Sequence, residues 1–311
     1  MSGYRIFSGT ANIELSQDIS TYLSLELSEA RINRFSDGEI NMKIKESVRG
    51  KDVFIIQSTS APANDNLMEL LIMTDALKRS SAKTVTAIVP YFGYARQDRK
   101  AEPRVPISAK LVANLIEKAG INRLVTVDLH ASQIQGFFDI PVDNLYGAIL
   151  FADYIKSKNF KNPIIASPDI GGVARARYFA QSLGLEMVIV DKRREKANES
   201  EVMNIIGNVE GKDVILIDDM IDTAGTMVKA ASVLKKKGAT SVMACCTHAV
   251  LSGPAYDRIE NGDLDELVVA DTIPLSHPSP KIKVLSTASM LGEVIRRVYH
   301  NESVNSLFVM K

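Results

Sequence analysis

Cysteine is nearly absent from this chain. Among 311 residues there are two, Cys245 and Cys246, adjacent inside the apolar run 242–250. Such a pair supplies neither a disulfide framework nor a four-ligand zinc site. It reads as two small residues in a buried strand. An excess of either charge is also missing: lysine plus arginine number 37, and so do aspartate plus glutamate. A general nucleic-acid or membrane-surface binder needs a basic excess, so neither is expected as a partner. No apolar stretch approaches the roughly 18 residues of a membrane span. The first 30 residues hold no apolar run of signal-peptide length. The expectation is a soluble, cytoplasmic protein. P-loop nucleotide chemistry is excluded as well, because neither Gly50-Lys51 nor Gly211-Lys212 is followed by serine or threonine.

What is present is a regular alternation. Hydrophobic residues make up 46% of the chain and charged residues 24%, enough for a well-filled core. At roughly 150 residues per domain the length suits two domains. Short β-branched runs at 52–56, 84–89, 123–127, 163–166, 186–190, 213–217, 241–245, 266–270 and 282–285 read as buried strands. Helical patterns such as 66–80 and 226–238 separate them. Alternation of this kind predicts an α/β fold with mainly parallel sheets flanked by helices.

Two stretches match each other. GKDVFIIQSTS begins at Gly50 and is followed by a helix and SAKTVTAIVP. GKDVILIDDMIDTAGT begins at Gly211 and is followed by a helix and GATSVMACCTH. The pattern reads as a duplicated strand–loop–helix–strand unit, hence two related domains. The expected division is 1–145, 146–298 and a tail, 299–311, packing back on the first domain. The copies differ where chemistry would sit. The second has Asp218, Asp219, Asp222, Thr223 and Gly225 after its strand, and the first has Gln57 and Ser58.

The strongest motif is VILIDDMIDTAGT, residues 214–226. Ligands of open α/β sheets bind beyond the carboxyl ends of the strands, where Asp218 and Asp219 fall. The loop Asp222, Thr223, Ala224, Gly225, Thr226 then opens a helix. Small residues let backbone N–H groups approach an anion, and a helix N-terminus favours negative charge. One end of the loop therefore suits a phosphate and the other suits sugar hydroxyls, which carboxylates accept. The plainer alternative is that Asp222 or Thr223 only caps the helix.

This run resembles the phosphoribosyl diphosphate loop of type I phosphoribosyltransferases. Alone it leaves open whether the chain consumes that sugar or makes it. DLHASQIQGFF (128–138), FSDGE (35–39), YARQDRK (94–100), SPDIGG (167–172) and DKRR (191–194) resemble motifs of the class I ribose-phosphate diphosphokinases. The likeness runs from about residue 30 to Phe308. It implies two phosphoribosyltransferase-like domains and magnesium-dependent transfer of diphosphate from ATP to ribose 5-phosphate. The product would feed nucleotide, histidine and tryptophan synthesis. It implies an ATP site of Phe35, Asp37, Gly38, Glu39, Arg96, Gln97 and Asp98, with the first four serving a neighbouring subunit of a homohexamer. His130 and Asp169 would be magnesium ligands. Lys192 and Arg194 would be the catalytic cations on a mobile loop, with Arg194 also meeting ribose 5-phosphate. Asp218, Asp219 and residues 222–226 would hold that sugar phosphate. Ser47, Arg49, Ser303 and Phe308 resemble parts of a regulatory site.

Two positions depart from the family pattern. Glu102 stands where relatives generally carry a basic residue, and Asn305 where a serine is common. Both bear on regulation more than on catalysis. Two other readings stay open from sequence: a transferase that consumes the sugar diphosphate, and a non-catalytic regulatory paralogue.

Overall fold

The computed structural model of the protein describes residues 3–193 and 202–307. These residues form two compact units. The first takes in the chain to Tyr146, then Thr272–Pro274 and the segment from Ser286 onward; the second is Gly147–Asp271 with Leu275–Leu285.

The first unit contains β1 (Tyr4–Ser8), α1 (Ile13–Tyr22), β2 (Ala30–Arg34), β3 (Ile40–Ile44), β4 (Asp52–Ile56), α2 (Ala63–Arg79), β5 (Thr84–Val89), α3 (Ser108–Ala119), β6 (Arg123–Val127) and β7 (Val142–Leu145). Its parallel sheet runs β1-β4-β5-β6-β7. After their first residues β4, β5 and β6 are buried throughout, as helix-covered parallel strands are. β2 and β3 form a separate antiparallel hairpin.

The second unit contains α4 (Ala148–Ser157), β8 (Pro163–Ser167), α5 (Val173–Leu183), β9 (Met187–Arg193), β10 (Val202–Ile206), β11 (Asp213–Ile221), α6 (Gly225–Lys236), β12 (Ser241–Ala249), α7 (Ala255–Asn261), β13 (Glu266–Ala270) and β14 (Ile282–Leu285). Its sheet runs β10-β9-β8-β11-β12-β13-β14, parallel except for β10 on β9. Removing the β9–β10 hairpin leaves β8-β11-β12-β13-β14, the same order as β1-β4-β5-β6-β7. The repeat seen in the sequence is therefore a repeat of topology, with β4-α2-β5 matched by β11-α6-β12.

Two expectations shift. A last helix, α8 (Ala288–His300), was expected in the second domain but belongs to the first unit. It lays its buried face, with Leu291, Val294 and Ile295, along α1. Tyr22 Oη meets Glu293 at 3.4 Å, and the rings of Tyr4 and Tyr299 stand 4.4 Å apart. Periodicity shows that α8 has an apolar face and cannot show what covers it. The second shift concerns strand ends. β9 continues through Lys192 and pairs it with Met203, so Lys192 lies within a strand and not after one. β11 likewise continues to Ile221 and includes Asp218 and Asp219.

Candidate functional site

In the second unit the chain leaves β8 toward β9 on one side and leaves β11 toward β12 on the other. The crevice at such a reversal is where open α/β sheets bind ligands. Its walls are the loop after β8, carrying Asp169, and the loop after β11. Ser167 Oγ donates to the carbonyl of Asp169 at 2.6 Å. Gly172 N donates to Asp169 Oδ1 at 2.9 Å. A Cβ at Gly172 would stand 2.9 Å from Ser167 Oγ, so the loop is tight against its strand.

On β11, pairing with β8 ends at Leu216, and Asp218 and Asp219 lie just beyond. Asp219 is 3% exposed. Arg175, from α5, donates through Nη1 to Asp218 Oδ1 at 3.2 Å and to Asp219 Oδ1 at 2.9 Å. Burial and the neighbouring Asp219 carboxylate push Asp218 well above the usual carboxylate range, and Arg175 opposes them. The expected buried cysteines pack behind: Cys246 is the register partner of Asp218, and burial pushes both thiols up.

The loop that follows does not behave as an ordinary cap. Ala224, the N-cap of α6, takes a left-handed conformation, φ 60°, and makes no side-chain capping bond of its own. Asp222 is instead turned to Ser252, whose Oγ donates to it; Ser252 N also donates to the Asp222 carbonyl at 3.1 Å. A left-handed alanine costs of the order of 1–2 kcal/mol, and strain of this kind gathers at ligand sites. The first turn of α6 follows Thr223 and includes Thr226, and a helix N-terminus of this kind suits an anion. Arg258, from α7, donates to the Thr223 carbonyl at 2.9 Å. Arg175, Ser252 and Arg258 were missed from sequence. Each acts through a contact between segments far apart in the chain, which no local pattern announces.

In the first unit the equivalent place, between the ends of β1 and β4, is filled. Glu69, 4% exposed, accepts from Thr10 N at 2.6 Å and from Gln57 Nε2 at 2.8 Å. Ala11 N donates to Gln57 Oε1 at 3.1 Å.

The remaining sequence-predicted residues fall as follows. Phe35, Asp37, Gly38 and Glu39 form the tip of the β2–β3 hairpin, with Phe35 N donating to Glu39 O at 2.8 Å and Phe35 53% exposed. Arg96, Gln97 and Asp98 lie in the loop after β5. Gln97 Oε1 accepts from Ser108 Oγ, and Asp98 accepts from Gln133 Nε2 at 2.9 Å. That contact joins the YARQD loop to the segment carrying the exposed His130. Ser47 and Arg49 are exposed before β4. Ser303 follows α8, where its carbonyl accepts from Arg297 Nη1 at 2.9 Å. No hydrogen bond or ion pair among the described residues joins Ser47 or Arg49 to Ser303. Lys192 is described by its backbone alone, and Arg194 and Phe308 lie outside the described residues. Among the described residues no three His, Cys, Asp or Glu cluster as a metal site, and no helix is long and apolar enough to cross a membrane.

Comparison with known proteins agrees with this layout. The family described as the N-terminal domain of ribose phosphate pyrophosphokinase matches residues 4–120, and the phosphoribosyl synthetase-associated domain matches residues 194–309. The ribose-phosphate pyrophosphokinase of Campylobacter jejuni subsp. jejuni is 75% identical over 309 residues, 99% of this chain and 100% of that protein. That of Wolinella succinogenes is 72% identical over the same shares of each chain. The crystal structure of phosphoribosylpyrophosphate synthetase from Mycobacterium smegmatis matches with a TM-score of 0.91 at 43% identity, covering 96% of this chain and 100% of that one. The chain belongs to the ribose-phosphate pyrophosphokinase family.

Proposed function

We propose that the chain transfers the diphosphoryl group of ATP to the anomeric hydroxyl of ribose 5-phosphate, giving AMP and 5-phospho-α-D-ribose 1-diphosphate. The hydroxyl oxygen bonds to the β-phosphorus, the bond from that phosphorus to the α-phosphate oxygen breaks, AMP leaves with its electrons, and the hydroxyl proton is released. The observation that carries the reading is the start of α6 at the left-handed Ala224, directly after the Asp218–Asp219 pair. It offers a phosphate seat and sugar-hydroxyl acceptors on one continuous loop.

Within this reading Thr223, Ala224, Gly225 and Thr226 hold the 5-phosphate, and Asp218 and Asp219 the ribose hydroxyls. Asp222 shapes the loop through Ser252. Arg96, Gln97 and Asp98 hold ATP, and Phe35, Asp37, Gly38 and Glu39 meet the adenine of a neighbouring protomer. The hairpin's exposed tip supports that assignment. Transfer without a protein nucleophile needs cations around the moving phosphates, and Lys192 and Arg194 are assigned that task. Ser47, Arg49, Ser303 and Phe308 are assigned to regulation, in a cytoplasmic homohexamer.

Magnesium fits the donors present. Such an ion keeps several waters and takes few protein ligands when it travels with phosphates. Asp169 commits Oδ1 to Gly172 N and leaves Oδ2 for the ion on the ribose-phosphate side. The exposed His130 would meet the ion carried by ATP. When bound, the ion supplies positive charge to the phosphate oxygens. The test is incubation with ATP, magnesium and ribose 5-phosphate, followed by identification of the nucleotide. AMP is expected; ADP with a ribose bisphosphate contradicts the reading.

A further inference from the structure

We propose that Arg175 is a positioning residue of the ribose-phosphate site, holding Asp218 and Asp219 side by side to meet the sugar hydroxyls. The inference rests on reading that pair as the sugar-binding group.

Two consecutive carboxylates on one strand repel, and the Asp219 side chain is 4% exposed. Carboxylates in such a pair tend to keep a proton between them. A protonated member donates where the site needs an acceptor. A guanidinium stays charged at every relevant pH and is weakly hydrated, which suits it to a partly buried ion pair. Arg175 supplies this from one nitrogen, Nη1, which reaches one oxygen of each carboxylate. Asp219 N donates to the same Asp218 oxygen at 2.9 Å, so the geometry of the pair is fixed from two directions.

Of the charged groups that act on Asp218, Arg175 is the cation. Asp218 faces Asp219 on its own strand, Arg175 from α5, and the Cys246 thiol on β12, which burial holds neutral. The neighbouring strand β8 brings uncharged residues, ending in Ala166 and Ser167. Asp222, beyond the strand, is turned to Ser252. Arg175 also ties together the two walls of the crevice: its helix opens from the Asp169 loop, and its side chain ends on the strand that leads into the phosphate loop.

The test compares Arg175→Gln and Arg175→Lys with wild type from mildly acidic to alkaline pH. It reads the Michaelis constants for ribose 5-phosphate and ATP separately. Arg175→Gln should raise the constant for ribose 5-phosphate about 10- to 100-fold at neutral pH, the scale of a lost charged hydrogen-bonding partner. The constant for ATP should stay within about twofold. Without the guanidinium the pair releases its last proton at higher pH, so the deficit should shrink as pH rises. Arg175→Lys should restore part of the loss and move the profile back. If Arg175→Gln does not fold, the displaced profile of Arg175→Lys decides alone. A deficit independent of pH, or one shared equally with ATP, overturns the proposal. Asp218→Asn and Asp219→Asn separate the two levels. If they raise the ribose 5-phosphate constant and the Arg175 variants do not, only the role of Arg175 falls. If neither aspartate variant affects ribose 5-phosphate, the sugar assignment itself falls.

Discussion

Gln57 and Asp218 occupy the same position in the two repeats, the eighth residue counted from Gly50 and from Gly211. Gln57 is 1% exposed and closes its own crevice, bonding to Glu69 and to the Asn66 carbonyl. Asp218 lines an open crevice and meets a guanidinium. One repeat spends this position on its own packing, and the other, in the proposed reading, on a ligand.

That contrast predicts a division of effects. Glu69→Ala leaves Thr10 N and Gln57 Nε2 without their acceptor. Orphaned buried donors cost about 1–3 kcal/mol each, so a loss of about 3 kcal/mol is expected in denaturant or thermal unfolding. Asp218→Asn should leave the unfolding midpoint within about a degree and raise the Michaelis constant for ribose 5-phosphate by about tenfold, since one lost charged hydrogen bond is worth roughly 1.5 kcal/mol. Reversed effects would deny that the two crevices have different jobs.

A second consequence of duplication is structural. Gly50 and Gly211 have φ of 67° and 69°. Gly50 N donates to Ser81 O at 2.8 Å, and Gly211 N to Gly238 O at 2.9 Å. A Cβ on either would meet nothing within 4 Å, so alanine is opposed by backbone strain alone. Gly50→Ala and Gly211→Ala should each lower stability by about 1–2 kcal/mol, and by similar amounts. Unequal losses would mean the turns are not equivalent.

The parallel core was legible in the sequence because strands such as 52–56 and 213–217 are continuous apolar runs between helical patterns. β2 and β3 were not, because the half-exposed ARINR and INMKI carry little hydrophobic signal. β10 was hidden for a related reason, as an antiparallel edge beside the polar stretch 194–201. The acidic loop announced itself through composition. Its supports, Arg175, Ser252 and Arg258, did not, because each depends on which helices the sheet order brings against β11.

The assigned cations give a kinetic prediction. Lys192→Ala should lower turnover about 100- to 1000-fold, the scale of a lost transition-state partner worth roughly 3–4 kcal/mol, with the unfolding midpoint little changed. Arg193→Ala should be much milder. Equal, small effects in single-turnover kinetics would remove the assignment.

Glu102 lies exposed in the loop between Arg96 and α3. At ~8 Å and an effective dielectric of about 40–80, one unit charge acts on another with roughly 0.5–1 kcal/mol. Glu102→Arg counts twice and should strengthen ATP binding about 5- to 30-fold. The gain should shrink in high salt, where the Debye length falls to about 3 Å. Superimposable titrations at low and high salt would place Glu102 outside the field of the nucleotide.

The central claim is that the β- and γ-phosphates move together. Turnover of ATP labelled at the β-phosphorus, with unlabelled ribose 5-phosphate and magnesium, tests it most directly. The account predicts that the label leaves with the sugar and that the AMP formed is unlabelled. Label retained in ADP, with the sugar unlabelled, would contradict it.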